Sequence, residues 1–336
     1  MLLKTGTSIL AGIAAMAVAA PALAAPVSLK VTTCLARNHD FSQAFTQTFL
    51  DPINAKNTDL KLVYLGGPEV TPFREQGGAL KRGLVDIIFC PAAYYSGMFS
   101  EARLPGAQSV SVEEARKNGA WQMLEEAWAK NMNAHFLAWG FDNAQIFYTY
   151  FTEKPKESTK TGLDLTGMKI RSTPLYNPFL LAMGGTTIVM SPGDVYAGLQ
   201  RGVVTGLAWP WGSIAKYGWQ RFLKYRVTPH YYSASQPLIV NLDKWKSLTK
   251  QQQDLMTAQA RIMEKDGSAI IIKKGQEDDA KLKEANVQDL ELKGAVRKAY
   301  LDTVYGAKWA QNDKLKYSVD YKKLRSLLYK AGGSGS

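Results

Sequence analysis

The sequence predicts an α/β protein of two lobes, each a mixed sheet flanked by helices, with one long helix bracing both. Three observations lead there. The chain has 336 residues, enough for two lobes of ordinary size. Its early part alternates strand and helix signals, and the middle repeats that style. A helical pattern then runs from Thr249 to about Glu284, longer than one lobe is wide at about 1.5 Å per residue.

The elements follow in order. Ser28–Thr33 alternates and is rich in β-branched residues, so it is a first strand. Phe41–Ile53 reads as a helix, and Leu60–Leu65 as a second strand broken by Gly66-Gly67-Pro68. Phe73–Arg82 carries helix formers around a glycine pair. Leu84–Phe89 is an apolar run broken only by Asp86, and it reads as a strand buried on both faces. This β-α-β-α-β opening favours right-handed crossovers in a largely parallel sheet. Further on, Ala134–Trp139, Ile146–Phe151, Met168–Arg171, Thr186–Met190, Val203–Trp209 and Leu238–Asn241 read as strands. Pro178–Met183 and Pro192–Gln200 read as helices, each with a proline in its first turn. Thr249-Lys250-Gln251-Gln252 is a capping box at the start of the long helix.

Composition narrows the function classes. With 46% hydrophobic and 21% charged residues, the chain forms cores. Two Cys and three His exclude a multi-cysteine zinc fold and a disulfide-dense miniprotein. The net charge of +12 admits nucleic acid, an acidic membrane surface or an anionic ligand. Lys and Arg are scattered, without an Arg-rich arm or RNA-binding aromatic signature, so no nucleic-acid partner is expected. Residues 1–24 read as a secretory signal peptide: Lys4, an apolar run Ile9–Ala20, then Ala22-Leu23-Ala24 before the cut. Export to the periplasm is therefore expected. Residues 332–336, Gly-Gly-Ser-Gly-Ser, read as a flexible tail or cloning scar. No Walker loop, G-x-S-x-G elbow or paired-His metal helix occurs.

The segment Asp164-Leu165-Thr166-Gly167-Met168-Lys169-Ile170-Arg171 closely resembles the D-L-x-G-x-K-[IL]-R signature of TRAP-transporter solute-binding proteins, the DctP family. Four further blocks resemble that family in the right order: Leu80–Ile87, Leu181–Gly185, Pro192–Val204 and Leu242–Thr249. The resemblance implies a periplasmic binding protein fold of type II-like form, closing on a ligand like a clamp. It implies delivery of a small-molecule carboxylate to TRAP permease membrane subunits, with no catalysis and no cofactor. A monomer is expected. The lobes are expected at 26–146 plus 233–275, and at 147–232 plus 276–331.

The resemblance also supplies site residues. Arg171 is in the position that holds the ligand's carboxylate, and its planar guanidinium suits a two-pronged grip. Trp209 ends a strand that lines the cleft, with Trp211 beyond it. Ala208 replaces an acid that helps hold a metal in the 2-oxo-acid binders of the family, so no metal is expected. Tyr148, beside Gln145 and Phe147, stands where many relatives carry a second Arg. One cation among several rings points to a carboxylate with an apolar or aromatic body.

Other expectations come from the fold. Ligands in open α/β sheets sit outside the carboxyl ends of strands, so the loops carrying Asn38, His39 and Cys90 should face the cleft. Phe73, Glu75, Tyr94, Tyr95 and Tyr232 are further lining candidates, and His230 occupies a family position. Cys34 and Cys90 each end a strand, and export permits a disulfide between them; two buried thiols are the alternative. Two other functions remain open. One is a secreted enzyme on the same fold, with Glu75, His39 or His230 as base; the other is a sensor subunit presenting ligand to a receptor.

Overall fold

The computed structural model describes residues 26–56, 58–142, 146–233 and 235–330. The expected signal peptide, Gln145 and the 332–336 tail lie outside the described residues.

The first sheet is built from both ends of the fold's first half and one returning strand. The chain runs through β1 (Val27–Thr33), α1 (Asp40–Phe45), α2 (Asp51–Ala55), β2 (Leu60–Gly66), α3 (Phe73–Lys81) and β3 (Ile87–Phe89). Then come α4 (Val112–Asn118), α5 (Ala120–Met132) and β4 (Ala134–Gly140). It crosses to the second lobe through β5 (Ile146–Phe151), β6 (Lys156–Ser158), β7 (Gly162–Asp164), β8 (Lys169–Ser172), α6 (Asn177–Ala182), β9 (Thr186–Val189), α7 (Pro192–Gln200), β10 (Gly206–Pro210) and β11 (Tyr225–Ser233). It returns through β12 (Gln236–Asn241) and α8 (Leu242–Ser247), followed by α9 (Lys250–Ile262) and α10 (Ser268–Glu284). The chain closes with β13 (Gln288–Glu291), α11 (Gly294–Asn312) and α12 (Tyr321–Leu328).

The first lobe's sheet has the order β2-β1-β3-β12-β4, and the second's β13-β11-β5-β10-β8-β9. In the first, β1 is parallel to β2 and β3, while β12 runs antiparallel to β3 and β4. The strand expected from Leu84 shortens to Ile87–Phe89: Leu84 is 57% exposed, and the Asp86 carboxylate accepts from the backbone N–H of Lys30. The three residues of β3, like all of β12, are buried throughout, as double-faced burial in a central strand requires. In the second sheet, β8, β9 and β10 are parallel and β5 lies antiparallel between β10 and β11. Each sheet is thus mixed, because one strand reaches it by crossing from the other lobe.

The helix expected at 41–53 forms, with a π-helical turn at Thr46–Leu50 joining α1 to α2. Pro52 explains the turn: it lacks an N–H and would clash with the carbonyl four residues earlier in a regular helix. The long helix also forms, with the Thr249–Gln252 capping box intact. It runs from α9 through a π-helical turn at Met263–Gly267 into α10, about 50 Å at ~1.5 Å per residue. Its two glycines are close-approach points. A Cβ on Gly267 would lie 2.4 Å from Phe141 of the first lobe, and one on Gly275 would lie 2.4 Å from Trp211 of the second. The brace is therefore seated on both lobes where it has no side chain. At the end of the chain, α12 packs against α4 and α5. The Asn118 side chain donates to Leu327 O there, and the Ser109 hydroxyl to Lys330 O.

Among the described residues no helix is long and apolar enough to cross a membrane.

Candidate functional site

A cavity of about 90 Å³ lies between the lobes. The first lobe contributes Leu35, His39 and Phe41 after β1, and Pro91, Ala93 and Tyr94 after β3. The second contributes Phe147 from β5, Arg171, Thr173 and Tyr176 at and beyond the end of β8, and Trp209 with Pro210 at the end of β10. Ser235 and Gln236, where the chain returns to the first lobe, complete the wall. The carboxyl ends of β1, β3, β8 and β10 all converge here, as the open-sheet rule requires.

Arg171 is 3% exposed. Its Nε donates to Met190 O at 3.1 Å and Nη1 to Ala208 O at 3.3 Å. Its guanidinium lies 4.9 Å from the centre of the Trp209 ring. No carboxylate pairs with it among the described residues, and Tyr176, Tyr94 and Tyr217 are the groups that bear on its charge. Burial lowers its pKa, yet an arginine stays charged in proteins. The two carbonyls take one N–H from Nε and one from Nη1, leaving the rest of the five-donor fork for an anion.

The ring wall is built by strand ends. Trp209 packs edge-on against Trp219 and Tyr217, which fixes it from behind. Phe147 packs against Tyr176. Burial raises the phenol pKa of Tyr94 and Tyr176, with Arg171 pulling the other way, so both are neutral hydroxyls. Ser235 Oγ is buried with no hydrogen-bond partner among the described residues. No aspartate or glutamate lines the cavity among the described residues.

His39 is the N-cap of α1. Its Nδ1 accepts from Phe41 N at 3.1 Å, and its ring packs against Phe41 at 4.8 Å. Burial brings its pKa down to about 4, with Asp40 raising it and Lys216 lowering it further. The flanking residues bind the second lobe. Asp40 accepts from Ser213 Oγ at 2.7 Å and from Lys216 Nζ at 2.8 Å, and Asn38 O accepts from Lys216 Nζ at 2.6 Å.

Arg171, Trp209, Tyr94 and His39 thus line one cavity. The remaining expected residues do not line it. Tyr148 does not line it: side chains alternate along a strand, so the cavity receives Phe147 and Tyr148 lies under the Arg226 guanidinium at 4.8 Å. Asn38 is exposed beside the cavity, contributing only its carbonyl to Lys216. Cys90 is fully buried in a disulfide with Cys34, Cα–Cα 5.0 Å, and the residues after the two cysteines, Leu35 and Pro91, reach the cavity instead. Phe73 stands behind Tyr94 with ring centres 4.7 Å apart. Glu75 is exposed on α3, away from the lining. Trp211 turns to the long helix, where its Nε1 donates to Asp279 at 3.0 Å. Tyr232 and Tyr95 are core residues, the former donating to Val304 O at 2.8 Å. His230 packs edge-on against Tyr148. Of the three candidate bases, His39 lines the cavity, while Glu75 and His230 do not.

Tyr176, Phe41 and the Ser235–Gln236 corner were not singled out from the sequence. Their only sequence signal is position: each lies within a few residues of a strand end or a crossing between lobes.

The family model for bacterial extracellular solute-binding protein family 7, DctP, matches residues 71–307. The chain belongs to that family. Solved structures of TRAP periplasmic solute-binding proteins share its two-lobed fold. One from Bordetella bronchiseptica superposes with a TM-score of 0.75 at 18% identity, covering 90% of this chain and 92% of that one. One from Desulfovibrio salexigens, holding orotic acid, gives 0.72 at 17%, covering 85% and 92%. One from Pseudomonas putida, holding D-glucuronate, gives 0.68 at 21%, covering 88% and 99%. At these identities the likeness is one of fold. The cavity between the lobes, with a buried arginine that has no carboxylate partner among the described residues, is the feature of this chain suited to holding a solute.

Proposed function

We propose that this DctP protein captures an organic acid between its lobes and delivers it to a TRAP-type membrane permease. One observation carries the reading: Arg171, almost wholly buried, has no carboxylate partner among the described residues. A buried charge is costly unless it is paired, so the partner is supplied by the ligand. The structural relatives hold acids of varied size, including orotic acid, D-glucuronate and malonate. In this chain the rings around Arg171 favour a single carboxylate on an apolar or aromatic body. The absence of acids in the lining removes a natural partner for a metal or an ammonium group. The lobes of this reading are 26–146 plus 233–275 and 147–232 plus 276–320, with 321–330 on the first lobe.

A thermal-shift screen of carboxylic acids tests it, each acid beside its methyl ester. A bound ligand in excess stabilises the folded state by mass action. Acids should raise the melting temperature and their esters should not. Equal shifts for acid and ester would remove the carboxylate from the reading.

A further inference from the structure

We propose that His39 is the second anchor of the site, an uncharged Nε2–H donor for a neutral acceptor on a monocarboxylate held by Arg171. The acceptor is a carbonyl, ether or ring nitrogen. The inference rests on the carboxylate reading and adds to it the ligand's other end.

The tautomer follows from one hydrogen bond. The backbone N–H of Phe41 can only donate, and it points at Nδ1 of His39 at 3.1 Å. Nδ1 therefore carries a lone pair, and the proton of a neutral imidazole must be on Nε2. His39 is among the residues that line the cavity, and no hydrogen bond engages its Nε2 among the described residues. Burial also holds the group neutral, its pKa down at about 4. The neighbouring carboxylate of Asp40 is already engaged by Ser213 and Lys216, so it is not free to draw a proton onto the ring.

His39 is also rigidly placed. It caps α1, and the residues on either side are tied to the second lobe through Lys216. A donor held this way reads position as well as chemistry. The site then offers one cation, one neutral N–H donor and a ring wall. A second carboxylate would meet a neutral ring, and an ammonium would meet no acid. The ligand class is a monocarboxylate with a neutral acceptor and no amine.

Calorimetry on matched pairs tests this: pentanoate against 4-oxopentanoate, and benzoate against pyridine-3-carboxylate. In at least one pair the oxo or aza member should bind about tenfold more tightly. His39→Phe keeps a ring but no N–H and should bring that ratio to about one. His39→Asn keeps both a capping acceptor and an N–H, and should retain part of the preference even if His39→Phe folds poorly. Arg171→Lys should weaken both members equally. A ratio unchanged in His39→Phe, or near one in both wild-type pairs, overturns the His39 anchor while leaving the carboxylate reading standing. Tighter binding of succinate than of every monocarboxylate also overturns it. Binding of the methyl esters as tightly as the acids overturns both.

Discussion

Replacing Arg171 by Lys keeps the charge and removes the fork. Arginine has five N–H groups in a fixed plane, of which Nε serves Met190 O and one on Nη1 serves Ala208 O. The remaining edge can hold both oxygens of a carboxylate at once. A lysine has three N–H groups on one atom. If it satisfies the same two carbonyls, a single N–H is left for the ligand. The change therefore removes about one charge-assisted hydrogen bond from the complex, roughly 1.5–3 kcal/mol, or a ten- to hundredfold loss of affinity. Trp209 also loses the flat guanidinium 4.9 Å from its ring, which a compact ammonium does not replace. Isothermal titration calorimetry with the acid that most stabilises the wild type measures the loss, with circular dichroism as the check on fold. Equal affinity for Arg171→Lys and wild type would show that the ligand is not held by this fork.

Two further outcomes concern stability. The disulfide Cys34–Cys90 closes a loop of 56 residues and should contribute roughly 4 kcal/mol by the chain-entropy estimate; denaturant midpoints with and without reductant give the value, and two reactive thiols in unreduced, denatured protein would refute the bridge. Lys308 on α11 is 2% exposed, and burial, aided by Arg103, lowers its pKa from 10.5 to about 7. The unfolded chain then binds more protons than the folded one between about pH 7 and 10.5, so this group makes stability rise with pH across that window. Lys308→Met should remove that rise, worth a few kcal/mol at most, and be the more stable protein at pH 7; parallel urea titrations of wild type and variant at pH 7 and 9.5 decide it.

The sequence made the first sheet and the brace legible because their signals are strong. The apolar run ending in Phe89 and the capping box at Thr249 each have one good structural reading. Arg171 was legible through its motif, and Trp209 through its place at a strand end. Other parts carried weak signals. β11 contains Pro229 and runs through Tyr225, Arg226 and His230, so neither apolar alternation nor a continuous run marks it. The helices α11 and α12 bury only part of their surface, and α12 finds its partner across the chain on α4 and α5. The side-chain direction at β5 was the costliest omission. Tyr148 and Phe147 differ by one position, and one position in a strand is the whole difference between facing the cavity and facing away from it. Nothing local in the sequence fixes that register; the pairing with β10 and β11 does.

The strand order also says where opening of the two lobes would be easiest to observe. Besides the long helix and the return of α12, the chain passes between lobes through β4, β5, β11 and β12, which lie toward one side of their sheets. The opposite margins are β2 and β9. In each sheet the margin is three strand spacings from the nearest crossing strand, about 15 Å at ~4.8 Å per strand. A hinge acts as a lever, so a 10° rotation moves each margin by about 2.5 Å over that arm, while groups beside the crossings hardly move. Val63 on β2 and Val189 on β9 are exposed, 41% and 56% respectively, and far from the cavity lining. A pair of distance labels at those two positions would turn solute capture into a readable displacement without touching the solute.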